Sequence, residues 1–156
     1  MRIIIFLARF GLNNISIWYY VKNNVVCGEL LGANFGLSVN YERVIVNKKH
    51  FMLNGRIGLG TLLLLWSSTY SMSGNFGGKN NFVELGFGRT DYTVLIPGVY
   101  GSGPSNFIYP LIGYRYQKKF LFKFQILGLF NHKNSQLIKD TDGTVVIVGL
   151  SFGTAF

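Results

Sequence analysis

The chain has 156 residues, enough for one sizeable core and too short for two. It carries 15 Lys+Arg against 6 Asp+Glu, a net charge of +9, yet charged residues are only 13% of the chain while hydrophobic residues reach 49% and aromatics 16%. A disordered basic tail lacks such apolar content, the single Cys27 rules out an intramolecular disulfide and a cysteine-rich zinc site, and His50 and His132 lie too far apart for a metal-ligand cluster of usual spacing, so neither metal nor cofactor is expected.

In chain order, Met1-Arg2-Ile3-Ile4-Ile5-Phe6-Leu7-Ala8 begins like a secretory signal, but Arg9 interrupts the apolar run and there is no small-x-small cleavage site after it. Residues 1–22 therefore read as a degenerate or misassigned signal-like segment or as a retained N-terminal arm. Cys27, after Val25-Val26, reads as an ordinary apolar strand cysteine rather than an acylation site, because no small residue precedes it directly. No apolar run approaches the roughly 18 residues of a transmembrane helix; the longest are Ile3-Ile4-Ile5-Phe6-Leu7-Ala8 and Leu62-Leu63-Leu64-Leu65-Trp66.

Beyond Cys27 the chain is a series of short segments, most of them alternating, and the side chains of a strand point to opposite faces in turn. Over 36–46, Leu37, Val39 and Tyr41 oppose Ser38, Asn40 and Glu42. Over 51–60, Leu53, Ile57 and Leu59 oppose Asn54, Arg56, Gly58 and Gly60. Over 82–89, Val83, Leu85 and Phe87 oppose Phe82, Glu84, Gly86 and Gly88. Over 108–116, Ile108, Pro110, Ile112, Tyr114 and Tyr116 oppose Tyr109, Leu111, Gly113 and Arg115. Over 120–130, Phe120, Phe122, Phe124 and Ile126 oppose Leu121, Lys123, Gln125 and Leu127. The last segment is the clearest: Val146, Val148, Leu150, Phe152, Thr154 and Phe156 oppose Ile147, Gly149, Ser151, Gly153 and Ala155. A soluble half-buried strand carries charged or polar side chains on its second face. Glycine and serine there fit a narrow barrel interior, with the bulky set turned to lipid.

Eight strands are expected, at about 25–33, 35–46, 50–60, 67–76, 81–91, 106–117, 119–130 and 143–156. Their connections alternate in length from the second onward. Asn47-Lys48-Lys49, Gly77-Gly78-Lys79-Asn80 and Lys118-Lys119 are tight; between them lie Leu62–Trp66, Tyr92–Ser105 and Asn131–Asp142. Short turns on one side and longer loops on the other are the pattern of outer-membrane barrels. The fold class is therefore all-β, an eight-stranded antiparallel up-and-down transmembrane barrel over 23–156 with its lumen filled by side chains. The inward charges nearly cancel: Glu29, Glu42 and Glu84 stand against Arg56, Arg115 and Lys123, as burial demands.

Gly28-Glu29-Leu30-Leu31-Gly32 followed by Leu37-Ser38-Val39-Asn40-Tyr41-Glu42-Arg43 resembles the opening hairpin of small outer-membrane β-barrel proteins of Gram-negative bacteria. Arg56-Ile57-Gly58-Leu59-Gly60, Asn81-Phe82-Val83-Glu84-Leu85-Gly86 and Ile112-Gly113-Tyr114-Arg115-Tyr116 extend the resemblance. In such families the C-terminal strand ending in an aromatic is the signal read by the insertion machinery, a role that the resemblance gives to Leu150, Phe152 and Phe156. Many of these families have no assigned activity, so what it implies is a location in the bacterial outer membrane.

Candidate chemistry is sparse. His50 sits beside the Lys48-Lys49 turn, and His132 shares a loop with Ser135, Asp140 and Asp142 without triad spacing. Gly101-Ser102-Gly103-Pro104-Ser105 lacks the ending of a phosphate loop and reads as a turn cluster. The cations form no basic stripe, so nucleic acid is not an expected partner; lipid phosphates are. Tyr92, Leu95, Ile96 and Tyr100 give the long loop more apolar surface than solvation needs and make it a candidate contact region. The leading reading is a non-enzymatic structural protein, or an accessory subunit of a larger outer-membrane complex, with no catalytic residues and no open pore. Two alternatives stay open: a lipid-A-modifying barrel enzyme using His132, and a soluble lipocalin-like binder.

Overall fold

The computed structural model describes residues 22–62, 65–94, 105–131 and 145–156. They form eight strands in chain order: β1 (Asn24–Leu31), β2 (Gly36–Lys48), β3 (Phe51–Leu62), β4 (Leu65–Gly78), β5 (Asn81–Val94), β6 (Ser105–Gln117), β7 (Phe120–Asn131) and β8 (Val145–Ala155). Each strand pairs antiparallel with its chain neighbours, and β8 pairs with β1 to close the barrel, from Val25 opposite Ala155 to Leu31 opposite Gly149. Closure removes the unpaired edges of an open sheet. The seam continues to the last residue: the Asn24 N–H donates to the Phe156 carbonyl at 3.2 Å, and the Phe156 N–H to that of Asn24 at 2.9 Å.

Alternation decides which way each strand faces. In β2, Ser38, Asn40 and Glu42 are buried while Leu37, Val39 and Tyr41 are exposed, and the other strands repeat the division. A bulge at Ile45, between the pairs Val44–Asn54 and Val46–Leu53, increases the local twist. Pro110 has no N–H to give the ladder, and the β6–β7 pairing is interrupted there, at Tyr109 and Pro110.

Two segments differ from expectation. Leu62–Trp66, expected as a connection, is mostly strand: Thr61 pairs with Trp66 and Leu62 with Leu65. Five bulky residues in succession conceal a period of two. The first connection, expected as a short loop at Ala33-Asn34, is a single 3-10 turn over Gly32–Asn34 that folds into the barrel mouth, with all three residues buried. Leu31 and Phe35 flank it with positive φ, 60° and 55°, which side-chain-bearing residues seldom adopt. The tight turns at Lys49-His50, Lys79-Asn80 and Lys118-Lys119 lie at the same end as Asn24 and Phe156. Of the expected signal-like segment 1–22, only Lys22 is among the described residues.

Candidate functional site

The lumen holds the polar side chains. Glu29, Glu42, Arg56, Glu84, Arg115 and Lys123, each at an inward position of its strand, are all buried. Arg56 on β3 ion-pairs with Glu29 on β1, donates from Nε to Asn40 Oδ1 at 3.1 Å and from Nη1 to Gln125 Oε1 at 3.2 Å. Gln125 in turn donates to Glu84 Oε2 at 3.1 Å, and Ser73 donates to Glu84 Oε1 at 2.6 Å. Glu42 takes both Lys123, through an ion pair, and Arg115, whose Nη1 lies 2.6 Å from Oε2. Lys123 also stands 3.9 Å from Glu84. The Arg115 guanidinium is completed by Gln117 Oε1, at 2.8 Å from Nε and 2.6 Å from Nη2. Ser151 on β8 donates to Glu29 Oε2 at 3.2 Å. Every strand therefore contributes to one connected network, with three carboxylates balanced by three cations. Opposite charges satisfied by several hydrogen bonds are the form in which ions tolerate burial.

Toward the long-connection end the filling changes. Ala33, Tyr92, Phe107, Tyr109, Leu111, Leu127 and Leu129 form a buried cluster, with Phe35, Val145 and Ile147 packed against it. The rings of Phe35, Tyr92 and Phe107 lie with centroids 5.3 to 6.1 Å apart in tilted and edge-on contacts. The 3-10 turn is fastened beneath them. The Tyr92 hydroxyl donates to the Ala33 carbonyl, and Asn34 Oδ1 accepts from Ser67 Oγ at 2.8 Å and Thr69 Oγ1 at 2.6 Å. Glycine makes the room. A Cβ at Gly60 would stand 2.6 Å from the Asn34 Cβ, and one at Gly88 would meet the Tyr109 ring. Together, network and plug place buried side chains of the described residues along the barrel axis.

Tyr92, expected as a loop contact residue, is instead part of β5, opposite Ser105, with its side chain buried in this plug. The strand expected to end at residue 91 runs on to Val94, and just before Tyr92 in it Arg89 and Asp91 are 2.7 Å apart in an ion pair. Leu95, Ile96, Tyr100 and His132 lie outside the described residues. His50 is exposed at a tight turn. In β8, Leu150 is half-buried on the outer face, where Phe152 and the terminal Phe156 are exposed. Cys27 is buried inside. Among the described residues no group of three His, Cys, Asp or Glu converges as a metal site would.

Sequence reading missed the neutral members of the network as partners, although Asn40, Gln125 and Ser151 lie on the face that alternation marks as inward. It missed Asn34 altogether, because nothing in a three-residue connection signals that the turn folds into the lumen.

The arrangement defines a closed eight-stranded antiparallel barrel with a charged interior and an apolar exterior. No family model matches the chain, and no curated protein is similar to it. Among solved structures it resembles the crystal structure of the N-terminal β-barrel domain of Pseudomonas aeruginosa OprF, with 14% identity and a TM-score of 0.55 over 88% of this chain and 100% of that one. The likeness is one of fold.

Proposed function

We propose that the protein is an integral outer-membrane β-barrel with a sealed lumen, a non-enzymatic structural protein or accessory subunit of a larger outer-membrane assembly. One observation carries this reading: the barrel is inverted relative to a water-soluble one. Among the described residues 27 large hydrophobic side chains are exposed, including Val39, Leu59, Leu85, Phe87 and Ile112 along strand centres, while three glutamates, two arginines and a lysine are inside. Leaving one such side chain in water forgoes about 1.5–3 kcal/mol. A belt of them is therefore a surface made for lipid. A lipocalin-like ligand binder needs the opposite, an apolar cavity, and here the interior is occupied by ion pairs and the aromatic plug. The OprF-like fold supports the same reading, and short turns at one end orient that end toward the periplasm by the general habit of such barrels.

The experiment is fractionation of cells producing the full chain, with electrophoresis of the membrane fraction before and after heating. The reading expects the protein in the outer-membrane fraction, resistant to alkaline extraction, and migrating differently once boiled because the barrel withstands detergent. Recovery in the soluble fraction, with no heat-dependent shift, would contradict it.

A further inference from the structure

We infer that the tight-turn rim of the barrel binds acidic phospholipid headgroups of the leaflet on that side, an inference that rests on the membrane reading above. Charge is unevenly distributed over the molecule. In the lumen three carboxylates meet three cations. At the long-connection end Arg89 faces Asp91, and the segment joining β7 to β8 carries Lys133 and Lys139 against Asp140 and Asp142. Both regions are neutral. Apart from Arg2 and Arg9 near the N-terminus, the excess is concentrated in Lys22, Lys48, Lys49, Lys79, Lys118 and Lys119 at the tight-turn rim, with Arg43 on the outer face of β2 opposite Asn24. Among the described residues no Asp or Glu lies at that rim, and none of the six lysines is in an ion pair.

Position around the barrel separates a lipid layer from a single protein partner. Lys22 precedes β1 at this rim, and its carbonyl accepts from Gln117 Nε2 at the end of β6 at 3.3 Å. Lys48 and Lys49 end the β2–β3 hairpin, Lys79 the β4–β5 hairpin, and Lys118 and Lys119 the β6–β7 hairpin. The cations thus recur at all three tight hairpins, β2–β3, β4–β5 and β6–β7, rather than on one side of the barrel. A docked acidic protein would meet one arc of such a ring; a lipid annulus meets all of it.

Depth points the same way. Just inside the rim, on the outer face, are Tyr41, Phe76, Tyr114, Phe120, Phe152 and Phe156. Tyr41 donates its hydroxyl to Asn24 Oδ1 at 2.7 Å and Tyr114 to Asn81 Oδ1 at 2.6 Å, so both rings hold their polar tips toward the strand ends. Aromatic belts of this kind mark headgroup level. Lysines in the turns beyond them, on flexible apolar stems, reach the phosphate layer, and clustered lysines at that depth attract anionic lipid.

The test uses the full chain folded into phosphatidylcholine vesicles with and without phosphatidylglycerol, and spin-labelled forms of both lipids to measure which one associates with the barrel. Phosphatidylglycerol is expected to be preferred about two- to fivefold, with the preference lost in high salt and in a Lys48→Gln/Lys49→Gln/Lys118→Gln/Lys119→Gln variant. Equal association of the two lipids, or a preference that survives the substitutions, would overturn the inference. So would retention on peptidoglycan without lipid preference, which assigns the rim to the cell wall. Should the quadruple variant not fold, Lys118→Gln/Lys119→Gln and the salt titration of the unaltered protein read the same quantity. Failure to insert into either vesicle breaks the membrane reading instead, whereas insertion without selectivity breaks only this one.

Discussion

The two fillings of the lumen solve the same problem with different physics. In the charged half, stability depends on mutual satisfaction: Glu42 is tolerated because Arg115 and Lys123 are both there, and each of these because Glu42 is. In the aromatic half, Phe107, Phe35 and Leu127 contribute in proportion to the area and contact they make and need no specific partner, and Tyr92 alone adds a hydrogen bond, to the Ala33 carbonyl. The difference teaches where the barrel tolerates change. A charged member removed leaves a penalty behind; an apolar plug residue trimmed loses only its own share.

That contrast sets the order of the expected effects. The largest belongs to the network: Glu42→Ala should cost about 3–5 kcal/mol, because it strands two buried cations. Denaturant unfolding of the protein in lipid vesicles measures it. Pairing Glu29→Gln with Arg56→Met should cost clearly less than the two single changes added together, since removing both charges removes the penalty with them. Additive costs would make the network behave like the plug. As an external reference, Ile112→Arg on the outer face should cost roughly 2–4 kcal/mol near the bilayer midplane, through lipid rather than through either filling. The plug should respond less. Tyr92→Phe keeps the ring and deletes the donor to the Ala33 carbonyl, for a loss of about 1–2 kcal/mol by the same unfolding assay. The smallest effect has the opposite sign. Leu31 is exposed at φ 60° and ψ −132°, so Leu31→Gly should stabilise the 3-10 turn by roughly 1 kcal/mol.

The charged half was the legible one. Each of its ions stands on a regular strand, so a period of two assigns it to the inside, and opposite signs on one face announce that they pair. Which carboxylate meets which cation was not legible. Glu42 lies directly opposite Arg56 on the neighbouring strand yet forms its ion pairs with Arg115 and Lys123, because long side chains cross a narrow lumen as readily as they reach along the wall. The plug was largely hidden. It depends on a turn that Gly32 and Asn34 mark, but whose inward fold needs positive φ at Leu31 and Phe35, neither of them glycine or asparagine. Tyr92 was lost for a related reason: with its partner in that turn unseen, an aromatic near a strand end reads as loop surface. In β3 and β4 the run Leu62–Trp66 hid the strand ends, since uninterrupted bulk has no period to detect.

Along each strand, apolar side chains face lipid while their strand neighbours face a filled interior. Spin labels placed one at a time along β5, in a Cys27→Ser background and with the protein folded into bilayers, test it most directly. High accessibility to oxygen, and little to a water-soluble nickel complex, is expected at positions 83, 85 and 87, with low accessibility to both at the inward positions 82 and 90. Ready access of the water-soluble reagent to positions 83, 85 and 87, or the absence of any alternation along the strand, would contradict it.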